Sequence, residues 1–144
     1  MTMRRKMLDG ARPGRFALVA LGAVAVASCG ESAPICDNQV IRQAVSPDGA
    51  MKAVLFHRVC GGPTGFSSQV SVFGADEPVT GKGNAFIADT EGGHAKAAAW
   101  GGPDVYLEWT APRALTVTFA YLSRVIVYES PVRGVDITYQ SARE

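Results

Sequence analysis

The sequence predicts a mainly β (all-β) fold, a small antiparallel sandwich or open barrel of about six to seven strands after an N-terminal signal helix. Three observations predict it. Apolar side chains recur at every second position in several short runs, glycine- and proline-rich turns separate those runs, and no stretch has the periodicity of a long amphipathic helix. The chain of 144 residues is long enough for one domain.

The strand pattern begins after a Ser-Pro-Asp-Gly turn at residues 46–49, a sequence that favours a tight reversal of the chain. Residues 50–59 carry apolar groups on both faces, which is typical of a central strand. Residues 66–73 alternate and predict one buried face and one solvent-exposed face that includes Ser67. Five further runs have the strand pattern: residues 85–88, 105–110, 115–121, 125–128 and 135–140.

Residues 1–28 are predicted to be a lipoprotein signal peptide. Several arginine and lysine side chains precede residues 16–27, a charge-free apolar run. This run has the length of a signal-peptide core and is too short to cross a bilayer, which takes roughly 20 apolar residues. The alternative is a buried helix of the domain, but the flanking Arg15 and the abrupt small-residue end favour a signal.

The signal ends in Val26-Ala27-Ser28-Cys29, which has the form of a lipobox: an aliphatic residue, two small residues and a cysteine that accepts lipid. We expect Cys29 to be acylated, with residues 29–38 as a tether and residues 39–144 as a single β domain. Ordinary cleavage that leaves Cys29 unmodified is the alternative. Gly30 follows the cysteine, so in a cell with two membranes we expect anchoring in the outer membrane, facing the periplasm.

Cys36 and Cys60 are then an even pair in an oxidising compartment, and we expect them to form a disulfide. The alternative is a metal site in which His57 and His94 join the two cysteines. Because the spacing between His57 and Cys60 is not that of a zinc finger, the disulfide is preferred, and we expect neither a metal nor a cofactor.

The charge of the predicted mature chain argues against one class of partner. From Cys29 onward the sequence has nine basic and twelve acidic residues. Binding of nucleic acid needs lysine and arginine clustered on one face. We therefore exclude nucleic acid and expect the partners to be the membrane, through the lipid, and an envelope protein.

A glycine-rich turn is the candidate binding loop, because loops on a rigid scaffold often carry binding and a disulfide at its start would stiffen it. Its proposed residues are Gly61, Gly62, Thr64, Gly65 and Phe66. The alternative is a turn whose glycines serve only its geometry. Ser67 and Ser68 follow the loop and invite a hydrolase hypothesis, but nothing in the sequence marks a base for either serine.

One segment resembles a family of small uncharacterised bacterial proteins, often lipoproteins. The matching residues are Ser46-Pro47-Asp48-Gly49, Lys52-Ala53-Val54, Phe56, Arg58, Cys60-Gly61, Thr64-Gly65-Phe66-Ser67 and Gln69-Val70-Ser71-Val72. Gly62-Pro63 stands where that family usually has Ala-Thr, within the candidate loop. The resemblance implies a domain of unknown function and no particular chemistry.

Together these features predict an exported, membrane-anchored lipoprotein of the cell envelope that is a non-enzymatic binding or structural module. The first alternative is a periplasmic, hydrolase-like enzyme with an unrecognised site. The second is a metal-binding domain.

Overall fold

A computed structural model describes residues 35–61 and 65–143. The predicted signal peptide and Cys29 lie outside these ranges. Eight strands form a five-stranded sheet in the order β1–β2–β3–β4–β7 and a three-stranded sheet in the order β5–β6–β8. The strands are β1 (Asp37–Val45), β2 (Met51–Val59), β3 (Ser67–Gly74), β4 (Phe86–Asp89), β5 (Val105–Ala111), β6 (Ala114–Ala120), β7 (Arg124–Tyr128) and β8 (Asp136–Ala142).

The fold is therefore mainly β, as predicted, and the two sheets form a sandwich rather than a closed barrel. Helical structure in the described ranges is limited to the 3₁₀ turn Glu91–Gly93. Within those ranges we find no helix with the length and hydrophobicity that crossing a membrane requires. The prediction that residues 50–59 form an inner strand is confirmed, because β2 lies between β1 and β3.

The core lies between the two sheets. Leu55 and Phe86 of the larger sheet and Leu115 and Val117 of the smaller sheet are almost completely buried and belong to one apolar cluster. The Phe86 ring centroid lies 5.2 Å from that of Phe119, at a distance favourable for aromatic contact. The alternating apolar positions of β5, β6 and β8 therefore hold the three-stranded sheet against the larger one.

β1 was not among the seven predicted strands, and it brings the number of strands in the described residues to eight. It pairs antiparallel with β2, and the register shifts between Val40 and Arg42, so that Ile41 is an extra residue in a β-bulge. The bulge places two apolar residues next to each other and breaks the two-residue alternation. β1 is also an edge strand with many exposed side chains, so its sequence lacks the apolar face of the other strands.

The antiparallel prediction holds for every named strand pair except one. β6 and β8 run parallel, from Ala114 opposite Asp136 to Ala120 opposite Ala142. Between them the chain crosses to the larger sheet, where it forms β7. Side-chain alternation is the same in both strand directions, so it could not indicate this crossover.

The predicted solvent-exposed face of β3 is wrong, because the loop that follows β3 covers it. Gln69 is 7% exposed and Ser71 is fully buried. The backbone N–H of Gly83 donates to Gln69 Oε1 at 2.8 Å, and that of Asn84 donates to Ser71 Oγ at 3.0 Å. Asn84 also pairs its side-chain amide with the backbone N–H and carbonyl of Val72. These polar side chains thus fasten the loop to the sheet.

Tyr139 of β8 joins the two sheets at their β7–β8 side. Its hydroxyl lies 2.8 Å from the carbonyl oxygens of both Ala85 and Glu129, so its single hydrogen is shared between two acceptors. Burial is the main cause that raises the pKa of Tyr139 from 10.0 to about 12. Folding therefore favours the protonated phenol.

We expect stability to fall above pH 10 because of Tyr139. The stabilisation that comes from this phenol is fully present below pH 10.0, the pKa of the phenol in the unfolded chain. It is lost as the pH rises to about 12, the pKa in the folded domain. Urea unfolding of the wild type and of Tyr139→Phe across this range measures the effect. The variant should lose less stability with rising pH, and parallel profiles would contradict the assignment.

Candidate functional site

The disulfide between Cys36 and Cys60 confirms the predicted pairing. The β1–β2 ladder ends at the pair Asp37 and Val59. Cys36, just before Asp37, and Cys60, just after Val59, are the next residues beyond this pair. The bond therefore extends that ladder by one step and ties the edge strand β1 to the inner strand β2. It also fixes the start of the candidate loop, since Cys60 is the residue before Gly61.

The two sulfurs that the metal-site alternative requires are bonded to each other in the disulfide. Thiolates are the form in which cysteine binds zinc. In the part of the chain that the structure describes, no group of three or more histidine, cysteine or carboxylate side chains is placed to hold a metal ion. The His57 ring lies beside that of Phe66, whereas His94 follows the 3₁₀ turn Glu91–Gly93.

The structure describes part of the candidate loop. Gly61 and Gly65 are exposed, and Gly61 has a φ of +64°, which favours glycine. Apart from each glycine and its chain neighbours, no heavy atom of the described residues lies within 4 Å of a Cβ added at either position. Gly62 and Thr64 lie outside the described residues. Phe66 is placed at the other end of the loop, directly before β3.

Phe66 presents an aromatic ring to solvent and is packed against two neighbouring residues. It is 58% exposed, and its ring centroid lies 5.6 Å from that of His57. Its other support is Gly101, where an added Cβ would come within 2.5 Å of Phe66 Cγ. Gly101 also has a φ of +89°, which favours glycine. Both this backbone conformation and the closeness of the Phe66 ring therefore disfavour a side chain at position 101.

The segment 100–103 is fastened to β3 beneath this ring. The Ser68 hydroxyl is buried, donates to the carbonyl oxygen of Pro103 and accepts a hydrogen bond from Trp100 Nε1 at 2.9 Å. Sequence reasoning missed Trp100, Gly101 and Pro103 as members of this site. No local pattern marks them, because Gly-Gly-Pro at residues 101–103 predicts a turn and does not indicate which part of the chain the turn packs against.

The hydrolase alternative gains no support from these contacts. A nucleophilic serine needs a base within about 2.6–3.2 Å of its hydroxyl. His57 Nδ1 lies 3.2 Å from the backbone carbonyl of Ser67 rather than from a hydroxyl, and Ser67 Oγ accepts a hydrogen bond from Gln69 Nε2. Ser68 Oγ is bonded to the 100–103 segment instead.

We expect Gly102→Ala to destabilise the domain by about 1–3 kcal/mol, because the methyl group has no space. An added Cβ would lie 2.6 Å from Ser68 Oγ, 2.8 Å from the Ser67 carbonyl carbon and 2.9 Å from the Ser68 nitrogen. Gly65→Ala is the matched control, since the space around that Cβ is open. Urea unfolding measures both variants, and equal losses would contradict the packing described here.

The comparison with known proteins adds no relative. We found no protein-family model, no curated protein and no solved structure that matches the chain. A function for this surface must therefore be inferred from its own contacts, exposure and covalent framework.

Proposed function

We propose that this protein is an exported lipoprotein, anchored through Cys29, whose β domain is a non-enzymatic binding module of the cell envelope. The observation that carries the proposal is the Cys36–Cys60 disulfide. Disulfides persist in oxidising compartments and are rare in the cytosol. With those two cysteines paired, Cys29 is the third cysteine of the chain, and only Ser28 separates it from the apolar run 16–27.

The short link between the proposed anchor and the domain supports a binding role near the membrane. Residues 29–36 link Cys29 to β1, and these eight residues span at most about 26–29 Å when fully extended. The disulfide lies at the end of this link, and Cys60 leads into the candidate loop. The loop and Phe66 would therefore lie at the membrane-proximal end of the domain, facing the periplasm if the cell has two membranes.

The proposed partner is another envelope protein, and Phe66 is its proposed contact. Large aromatic side chains that are exposed on a rigid support contribute strongly to protein–protein binding. Phe66 is such a side chain, because Gly101 and His57 hold its ring while more than half of its surface stays exposed. The acidic balance of the mature chain argues against a nucleic-acid partner.

Mass spectrometry of the full chain expressed in bacteria tests the anchor. We expect the N-terminal peptide to begin at Cys29 with lipid attached and the protein to fractionate with membranes. Cys29→Ser should abolish both properties, because serine offers no thiol for the lipid. Recovery of the intact chain in the cytosol, with Met1 in place and Cys36 and Cys60 reduced, would refute the proposal.

Site-specific photo-crosslinking in living cells tests the binding surface separately. A crosslinking amino acid at position 66 should capture one stoichiometric envelope protein. The same amino acid at position 128 is the matched control, since Tyr128 is also an exposed aromatic residue, at 67% exposure, but lies on β7. Equal capture at both positions, or no capture at position 66 of a lipidated protein, would refute the Phe66 surface while leaving the anchor in place.

A further inference from the structure

Strand β8 is an open edge of the three-stranded sheet, because its one neighbour among the described strands is β6. Three other strands are also sheet edges: β1 and β7 in the larger sheet and β5 in the smaller one. An edge strand exposes backbone N–H and C=O groups on which another strand can pair, and proteins commonly block such an edge with bulges, lysine or proline. The four edges of this domain differ in that protection.

Each of the other three edge strands has an irregular register. One residue in each falls outside the residue pairing: Ile41 in β1, Thr110 in β5 and Ile126 in β7. β8 instead keeps an unbroken register with β6, from Asp136 to Ala142. Its sequence contains neither lysine nor proline, and its one charged residue is the first, Asp136. β8 is therefore the edge best suited to accept another strand.

Alternate residues of β8 point their backbone groups away from β6. At the start of the ladder, the N–H of Asp136 donates to the carbonyl oxygen of Arg113 at 2.9 Å. At its end, the N–H of Tyr121 donates to the carbonyl oxygen of Ala142 at 2.9 Å. The backbone groups of successive residues point to opposite sides of a strand, so even-numbered residues of β8 bond to β6 and odd-numbered residues point outward.

Two of the outward-pointing residues have unpaired backbone groups. The first outward residue is Ile137, and its N–H donates to Ser130 Oγ at 2.8 Å. The next two are Tyr139 and Ser141, and within the described ranges no group bonds to the backbone N–H or carbonyl oxygen of either. The edge thus offers two donors and two acceptors at the spacing that a neighbouring β-strand requires.

The same side of the sandwich carries exposed apolar side chains. The ring of Tyr128 in β7 lies edge-on to that of Tyr139 in β8, with their centroids 5.8 Å apart, so the open edges of the two sheets are close together. Tyr128 is 67% exposed, and Ile126 is 57% exposed. Exposed apolar groups beside an open strand edge are typical of a surface that contacts another protein.

We propose that β8 pairs antiparallel with β8 of a second copy of this chain, about a two-fold axis at Gln140. In this register Tyr139 of each copy lies opposite Ser141 of the other. The unpaired N–H of each residue then faces the unpaired carbonyl oxygen of the other, which gives four hydrogen bonds between the copies. The two three-stranded sheets join into one sheet of six strands, and Ile126 and Tyr128 lie beside the contact.

A second copy fits this edge because the edge is complementary to itself. Two-fold dimers are the commonest assemblies of a single chain, and they require one surface to match its own copy. No charged side chain lies between positions 137 and 142, so the pairing places no like charges opposite each other there. The contact uses neither Cys29 nor the Phe66 surface.

Disulfide formation in the purified full chain tests the register. Gln140→Cys should give a linked dimer under mild oxidation, because opposite residues of a non-hydrogen-bonded pair have Cα atoms about 4.5 Å apart, within disulfide range. Thr138→Cys is the matched control, since it is exposed on the same face of β8. Its two copies would lie about 14 Å apart and should not link.

Wild-type protein, treated in the same way, shows whether the native cysteines link two chains, and we expect that they do not. Adding Ala142→Cys to Thr138→Cys should restore the linked dimer, because positions 138 and 142 lie opposite each other in the proposed register. Equal yields from Gln140→Cys and Thr138→Cys, or no linked dimer from Gln140→Cys, would overturn the proposal.

Sedimentation in density-matched neutral detergent tests the hydrogen bonds. Wild-type protein should contain two copies, and Ser141→Pro should contain one, because proline removes an outward N–H and places its ring at the contact. The bonds to β6 should remain, so thermal unfolding should show a folded domain. Ser141→Ala keeps the N–H and should stay dimeric. A wild type that is monomeric at every concentration, or a folded Ser141→Pro that is still dimeric, would contradict the pairing.

Two further variants separate this contact from the proposed anchor and from the Phe66 surface. Cys29→Ser combined with Gln140→Cys should give the same linked dimer, since β8 is unchanged. A photo-crosslinking amino acid at position 128 should link two copies of this chain, a product that differs in mass from an envelope protein captured at position 66. Capture of a different protein at position 128, without linked copies, would overturn the proposal.

Discussion

Phe86→Ala is expected to cost about 3–5 kcal/mol of stability, the largest effect of any single substitution proposed for this domain. The Phe86 side chain is completely buried in β4, and its ring centroid lies 5.2 Å from that of Phe119 and 5.8 Å from that of Tyr139. Removing the ring leaves a cavity between the two sheets. Since small domains are stable by only about 5–15 kcal/mol, much of the total is lost.

Urea unfolding followed by tryptophan fluorescence measures this loss, and Phe66→Ala is the matched control. The control removes the same ring from a position that is 58% exposed, so little buried surface is lost there. We expect the two variants to differ by at least about 2 kcal/mol. Equal losses would show that Phe86 does not lie in the core between the sheets.

Replacement of both cysteines, Cys36→Ser with Cys60→Ser, is expected to cost about 3 kcal/mol, because the unfolded chain gains the freedom that the bond removes. The two cysteines are 24 positions apart, which sets the size of the loop that the bond closes. In the folded state the bond also ties the edge strand β1 to β2, where hydrogen bonds hold β1 on one side only within its own sheet.

The midpoint of urea unfolding measures this effect, and treatment of the wild type with a thiol reductant should reproduce it. The same reductant should not change the double variant, which has no disulfide to break. Backbone amides of β1 should show the largest increase in hydrogen exchange, since that strand loses its covalent link to β2. Unchanged stability of the double variant would contradict a structural role for the bond.

Local sequence pattern predicted much of the fold, and long-range contacts explain the rest. Alternation identified several of the strands after residue 49, because burial of one face imposes a two-residue period, and short apolar runs between turns identified the others. β1 was not predicted, because the bulge at Ile41 interrupts the two-residue period of its sequence. Ser71 lies on the polar face of β3, which alternation predicted to be exposed to solvent. It is buried because the loop that contains Asn84 packs against that face, a contact that alternation cannot indicate.

The candidate sites show the same division. The disulfide could be predicted because one of the three cysteines was assigned to a predicted lipobox, which leaves a single pair. The packing of Phe66 against Gly101 could not be predicted, because it joins loops that are 35 positions apart in the sequence. Nor could the open edge at β8, which depends on the order of the strands in their sheet.

The parallel pairing of β6 and β8 also sets the order in which the molecule can be completed. β5 and β6 are consecutive and can form a hairpin by themselves, but the other edge of β6 has no neighbour until Asp136–Ala142 is in place. A message with a premature stop codon before residue 136 would therefore yield a polypeptide with an open strand edge beside apolar side chains. Such an edge promotes aggregation, so this truncation would be far more harmful than the loss of few residues suggests.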